Sequence, residues 1–121
     1  MRAKNWWFSG VLAATLALGW LAGCGGAKKD SYPIGAVLEK SGKSQNWGRQ
    51  GEEGMRLALA DLNGKDGIQI ELFVEDNKST PDQGANAFIG LVNVKNVLAV
   101  LGATTSSNTR AMKEQANKLG V

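Results

Sequence analysis

The sequence predicts an α/β fold: a three-layer arrangement around a parallel sheet, in the order β-α-β-α-β-α. Three observations predict it. Short apolar runs with strand character recur at residues 32–38, 68–75 and 97–101. After each of them, apolar residues fall at helical spacing, and the connections are short. Such alternation implies parallel strands joined by right-handed crossovers.

Residues 32–38 (YPIGAVL) form a short apolar run suited to a buried strand. Met55, Ala58, Leu59 and Leu62 then share one helical face, within a helix expected over 51–63 that Asn63-Gly64 stops. Ile68, Ile70, Leu72 and Val74 alternate with Gln69, Glu71, Phe73 and Glu75, which is strand spacing. The second helix has a start signal: Thr80 as N-cap, Pro81 at the first helical position, and Gln83 completing a T-x-x-Q capping box. Its inner face is expected to be Ala85, Phe88, Ile89 and Val92. VLAVL at 97–101 is continuously apolar, as expected of a central strand covered on both faces. A polar loop at 102–107 follows, and then Met112, Gln115, Ala116 and Leu119 share a third helical face closed by Gly120. The order reaches Val121 where a fourth strand is expected. Three strands are few for a parallel sheet covered on both sides, so residues 32–121 are read as a truncated N-terminal part of a larger unit.

The head of the chain is a different material. Three of the four tryptophans (Trp6, Trp7 and Trp20) fall in the first 23 residues, Arg2 and Lys4 supply a positive start, and residues 6–22 are apolar apart from Ser9, Gly10, Thr15 and Gly19. This is the layout of a secretory signal peptide, residues 1–23; the run is slightly short for a membrane anchor, which needs roughly 20 apolar residues. Leu21-Ala22-Gly23-Cys24 resembles the lipobox of bacterial lipoproteins. That resemblance implies that the Cys24 thiol carries a diacylglyceryl group and that the chain is cut just before it. Residues 24–31, glycine-rich and charged, then read as the lipidated cysteine and a flexible linker. Several acyl chains on one residue anchor a protein to a membrane where one chain cannot.

Composition removes most other functions. A chain of 121 residues allows one domain at most. Two of the 14 cationic residues lie in the leader, so 12 remain against 11 acidic ones, and no nucleic-acid footprint is expected. With no histidine and one cysteine, a Cys/His zinc site, a Ser-His-Asp triad and an internal disulfide are all impossible. No cofactor or metal is expected. Gly42-Lys43-Ser44 suggests the end of a P-loop, but the required earlier glycine is Val37, and four residues are expected to separate Ser44 from the helix. Glu75 and Asp76 end the second strand, where a dinucleotide-binding fold keeps its ribose-binding acid. The first loop lacks G-x-G-x-x-G, so both read as solvated carboxylates seating the next turn. Lys43 and Arg49 read as solvated charges.

Taken in order, Ile34-Gly-Ala-Val-Leu, Ser41-Gly42, Trp47-Gly48, the 51–63 helix, Glu75-Asp76-Asn77, Pro81 and the run GATTSSNT at 102–109 resemble the start of a type I periplasmic binding protein. The resemblance is to the branched-chain amino-acid binding group that serves ABC importers, and it covers residues 32–121. It implies the first half of lobe one of a two-lobed α/β protein that traps a ligand between its lobes. It also implies ligand contacts at Trp47, after strand one, and at Ser106, after strand three, with Thr105 beside it. That group usually has a tyrosine where this chain has Trp47. Physical chemistry bears on both positions. Ser106 lies just before a helix, whose unsatisfied N–H groups and dipole favour an anion such as an amino-acid carboxylate; its alternative role is a plain N-cap, which Thr104, Thr105, Ser107 or Asn108 could equally fill. Trp47 either walls a pocket or covers a core edge.

The expected function is therefore a non-enzymatic, lipid-anchored, extracytoplasmic solute-binding protein. Its expected partners are a small-molecule ligand, an amino acid or similar, and the membrane subunits of an ABC importer. A sensory receptor domain of the same fold and a secreted enzyme on a flavodoxin-like scaffold are the competing readings. Sequence beyond Val121 separates the three: a second α/β lobe, a membrane helix with a kinase or cyclase, or a nucleophile–base pair.

Overall fold

The computed structural model describes residues 31–121. The leader, Cys24 and the linker as far as residue 30 lie outside the described residues. Six elements follow in the expected order: β1 (Tyr32–Leu38), α1 (Gln45–Leu62), β2 (Ile70–Asp76), α2 (Pro81–Asn93), β3 (Ala99–Gly102) and α3 (Ser106–Leu119). The strands form one parallel sheet in the order β2-β1-β3. Ile34 stands opposite Leu72 on one side and Ala99 on the other.

The period-two alternation of β1 sends Val37 to one face and Ile34 to the other. On the Val37 side, α2 and α3 close the core: Val37, Phe88, Leu91 and Met112 are buried together, with Phe73, Val97, Val100 and Ala116 packed around them. On the opposite face α1 lies over the sheet less closely. Ile34, Met55, Leu59, Leu62, Leu72 and Leu101 line an apolar cavity of about 290 Å³ between helix and strands.

Several expectations need correcting. The strand covered on both faces is β1, whose Ala36, Val37 and Leu38 are fully buried, and not the 97–101 run. Among the described residues β3 has one neighbour, it begins only at Ala99, and Leu98 and Leu101 stay exposed. The first helix starts at Gln45, six residues before 51; its opening turns carry no apolar stripe, so hydrophobic periodicity does not register them. Strand two starts at Ile70: the side chain of Asn63 bonds both the N–H and the carbonyl of Ile70, and a short 3-10 turn at Lys65–Gly67 occupies the intervening chain. Thr80 and Pro81 stand where expected, but the capping-box bonds are not made, and the Thr80 hydroxyl donates to the Asn77 carbonyl instead. The polar loop after β3 shortens to residues 103–105, which makes Ser106 the first residue of α3 and Thr105 its N-cap. No helix among the described residues is long and apolar enough to cross a membrane.

Candidate functional site

The carboxyl ends of the three strands meet in one polar cluster, where an open α/β sheet places its ligands. Its first half joins the loops after β1 and β2. Asp76, the last residue of β2, accepts the N–H groups of Lys40, Ser41 and Lys78 at 3.0, 3.2 and 2.8 Å, and the Ser41 hydroxyl at 2.6 Å. The Ser79 hydroxyl continues the seam, donating to the Ser41 carbonyl and accepting from the Ser44 N–H. Burial alone would raise the Asp76 carboxyl, but these bonds outweigh it and hold the group below the ordinary carboxylate range. Asp76 is thus no solvated acid; it seats two loops at once.

This geometry also decides the P-loop question differently from the sequence. Gly42-Lys43-Ser44 leads directly into α1, so the expected four-residue separation is absent. The P-loop pattern is not met: Val37, fully buried in β1, stands where the first glycine is required, and the N–H groups of Lys40 and Ser41 are given to the Asp76 carboxylate and that of Ser44 to the Ser79 hydroxyl.

The second half of the cluster joins β1 to α3 through Glu39. Glu39 follows β1 directly and is fully buried. One of its oxygens accepts the backbone N–H of Thr104 at 3.2 Å and the Thr104 hydroxyl; the other accepts the Thr105 hydroxyl at 2.7 Å and the Asn108 amide at 2.9 Å. Burial pushes this carboxyl up, yet the bonds from Thr104, Asn108 and Thr105 prevail and bring it down to about 2. Glu39 is an anion without a cationic partner among the described residues.

Two glycines allow this assembly. A Cβ on Gly48 would collide with the backbone of Glu39, so only glycine lets the first turn of α1 rest on the end of β1. Gly102 has φ of 113°, and a Cβ there would strike the Val37 carbonyl, so the turn out of β3 requires it as well.

Against this frame the three candidate ligand residues separate. Ser106 and Thr105 come together, lining an open recess of about 370 Å³ with Ala103, Thr104, Thr109, Arg110 and Lys113. Trp47 is not in that recess. It sits in the first turn of α1 rather than in a loop, 67% exposed, at the same end of the sheet. The Thr105 hydroxyl is engaged internally with Glu39 and Asn108, and α3 receives no side-chain cap at its N-terminus. Ser106, the first residue of α3, lines the recess beside Thr105. Sequence reasoning missed Glu39 and did not foresee the burial of Asn77 and Asn108, which with it are the fully buried polar side chains among the described residues. The available signal was position alone: each stands at the end of a strand or the start of a helix, where periodicity says nothing about polar partners.

Residues 31–121 match the family described as periplasmic binding protein. The chain belongs to that family. This periplasmic binding protein is similar to the branched-chain amino acid transporter substrate-binding protein LivJ from Streptococcus pneumoniae, solved in complex with isoleucine, with 37% identity and a TM-score of 0.71 over 76% of this chain and 27% of that one. It is similar also to the leucine-binding protein LivK from Thermotoga maritima, with 26% identity and a TM-score of 0.67 over 72% of this chain and 25% of that one. A third likeness is to an ABC transporter substrate-binding protein from Sphaerobacter thermophilus, at 25% identity and a TM-score of 0.70, covering 76% and 25% of the two chains. No curated protein matches the chain. The parallel sheet with its helices is that of the type I periplasmic binding protein fold, and the chain spans about a quarter of the length of these structures. Family membership carries an extracytoplasmic location.

Proposed function

We propose that this chain is part of a lipid-anchored solute-binding protein that captures an amino acid outside the cytoplasmic membrane and delivers it to an ABC importer, without catalysing a reaction. Residues 1–23 act as the signal peptide, residues 24–31 as the lipidated cysteine and linker, and residues 32–121 as the N-terminal part of lobe one. The observation that carries this reading is the uncapped N-terminus of α3, opening on a recess at the carboxyl end of a sheet whose isoleucine-bound relative is 37% identical. N–H groups at a helix N-terminus hold a carboxylate well. Ser106 adds its hydroxyl there, and Thr105, whose own hydroxyl is engaged, adds its backbone. Trp47 packs against the ligand body from α1.

Calorimetry with isoleucine on the full-length protein tests the reading. Loss of a hydrogen bond to a charged group costs about 1.5 to 3 kcal/mol, so Ser106→Ala should weaken binding by roughly ten- to a hundredfold. Trp47→Ala should weaken it through lost apolar contact, with an effect that grows with ligand side-chain size. Unchanged affinity in both variants would move the pocket elsewhere.

A further inference from the structure

Asn63 is the one asparagine in this sequence that is followed by glycine, and it stands where α1 meets the approach to β2. An Asn-Gly pair carries its own chemistry. The deprotonated backbone nitrogen of the glycine attacks the side-chain carbonyl carbon of the asparagine, a C–N bond closes a five-membered imide, and the side-chain nitrogen leaves as ammonia. Water then opens the ring, giving aspartate or isoaspartate with no change of oxidation state. Glycine favours this because no Cβ shields its nitrogen or restricts the rotation that brings it round.

The fold holds every group that this reaction needs. The attacking nitrogen of Gly64 donates its N–H to the Ile68 carbonyl at 2.9 Å. The leaving nitrogen, Asn63 Nδ2, donates to the Ile70 carbonyl at 2.9 Å, and Asn63 Oδ1 accepts the Ile70 N–H at 2.8 Å. Asn63 itself is extended, with ψ of 123°, which turns the Gly64 nitrogen away from the side chain. These bonds tie the end of α1 to the first residue of β2, and Leu59, Leu62 and Ile70 beside them line the apolar cavity on the less closely packed face. Release of the α1 end from the sheet therefore frees nucleophile, leaving group and backbone together.

We propose that Asn63 is a site of spontaneous deamidation gated by the fold: closed while the end of α1 is docked on β2, and open when that docking is lost. The change runs one way. An aspartate at 63 has no N–H to give the Ile70 carbonyl, and an isoaspartate adds a carbon to the main chain between α1 and β2, so the junction does not close again as before. This inference is independent of which ligand the protein binds.

Peptide mapping by mass spectrometry tests it on the full-length protein, held in mildly alkaline buffer with and without denaturing urea. The mass gain of amide-to-acid conversion should appear at Asn63 in urea, and about tenfold or more slowly in the folded protein, where local opening must first break three hydrogen bonds. Leu59→Ala, which weakens the hold of α1 on the sheet, should speed the reaction in the folded protein several-fold. If that variant does not fold, a series of urea concentrations below the unfolding transition makes the same comparison on the wild type. Equal rates in folded and unfolded protein, or a folded-state rate that loosening α1 does not raise, would overturn the gate, and no conversion at Asn63 even in urea would overturn the site. Asn63→Asp reproduces the product with its main chain intact and should lower the thermal midpoint by several degrees. A midpoint equal to that of wild type would show that the junction closes again and that the change is not one-way.

Discussion

At the scale of single residues, acid stability is set chiefly by carboxylates whose protonation the fold opposes. The Glu39 carboxyl ordinarily titrates near 4.5 and is brought to about 2. A group depressed in the folded state stabilises the fold above its unfolded value, and that contribution fades as the pH falls from about 4.5 toward 2. At neutral pH it amounts to about 3 kcal/mol. Asp76, through its bonds to Ser41, Lys78 and Lys40, and Glu52, chiefly through its bond to Arg56, are lowered as well, and their contributions likewise fade as the pH falls below their ordinary values of 3.8 and 4.5. Urea unfolding of wild type and Glu39→Gln between pH 7 and pH 2 separates the shares. The variant should be less stable at pH 7, and its stability should fall less steeply below pH 4.5. Parallel curves would assign the acid sensitivity to Asp76 and Glu52 instead. Nothing in the sequence distinguishes Glu39 from a solvated loop acid, because its partners lie 65 to 69 residues away and none carries a charge. The proposed lipid attachment at Cys24, in contrast, rests on its sequence neighbours alone. Cys24→Ala should accumulate as an unprocessed precursor by mass spectrometry, and a wild-type protein with its leader intact and a free thiol would remove the lipid anchor.

At the scale of elements, α1 shows where periodicity stops informing. Its second half carries Met55, Leu59 and Leu62 toward the sheet and was readable; its first turns are polar and were not. What fixes those turns is the contact of Gly48 with the backbone of Glu39, a tertiary fact that a lone glycine does not announce. The same division runs through the other elements. The order of strands and helices, the inward Phe88 and Val92 of α2 and Met112 and Ala116 of α3, and the left-handed Gly120 that ends α3 follow from local patterns. The fully buried Leu91, by contrast, lies off the expected face of Ala85, Phe88, Ile89 and Val92, and Leu119 stays 40% exposed. The seating of the loops by Asp76 and Glu39, and the central place of β1, depend on pairings between distant segments. Gly48→Ala tests the contact directly. Its Cβ must push the start of α1 off the end of β1, so stability should fall by about 1 to 3 kcal/mol, the usual effect of overpacking. Because Trp47 rides on that turn, isoleucine affinity should fall as well. A thermal midpoint equal to that of wild type would show that α1 shifts freely, and that Trp47 is placed by something else.

At the scale of the whole molecule, the sheet is finished on one face and open on the other. α2 and α3 bury Val37, Phe88, Leu91 and Met112 completely or nearly so, whereas the α1 face keeps an apolar cavity of about 290 Å³ and β3 has no outer neighbour among the described residues. Leu98 and Leu101, on that strand and its approach, are 67% and 45% exposed. An unpaired edge beside exposed apolar surface invites association. Residues 31–121 produced alone should therefore bind an apolar fluorescent dye, self-associate with rising concentration and unfold over a broad temperature range. They should also bind isoleucine far more weakly than the full-length protein, because an open recess on one lobe leaves most of a ligand's surface in water. The two halves of this prediction are measured separately, by sedimentation and by calorimetry. A soluble monomer with a sharp cooperative transition would show that α1 closes the apolar face in solution, and tight isoleucine binding by the same segment would show that the α3 terminus and its neighbours form a sufficient site without a second lobe.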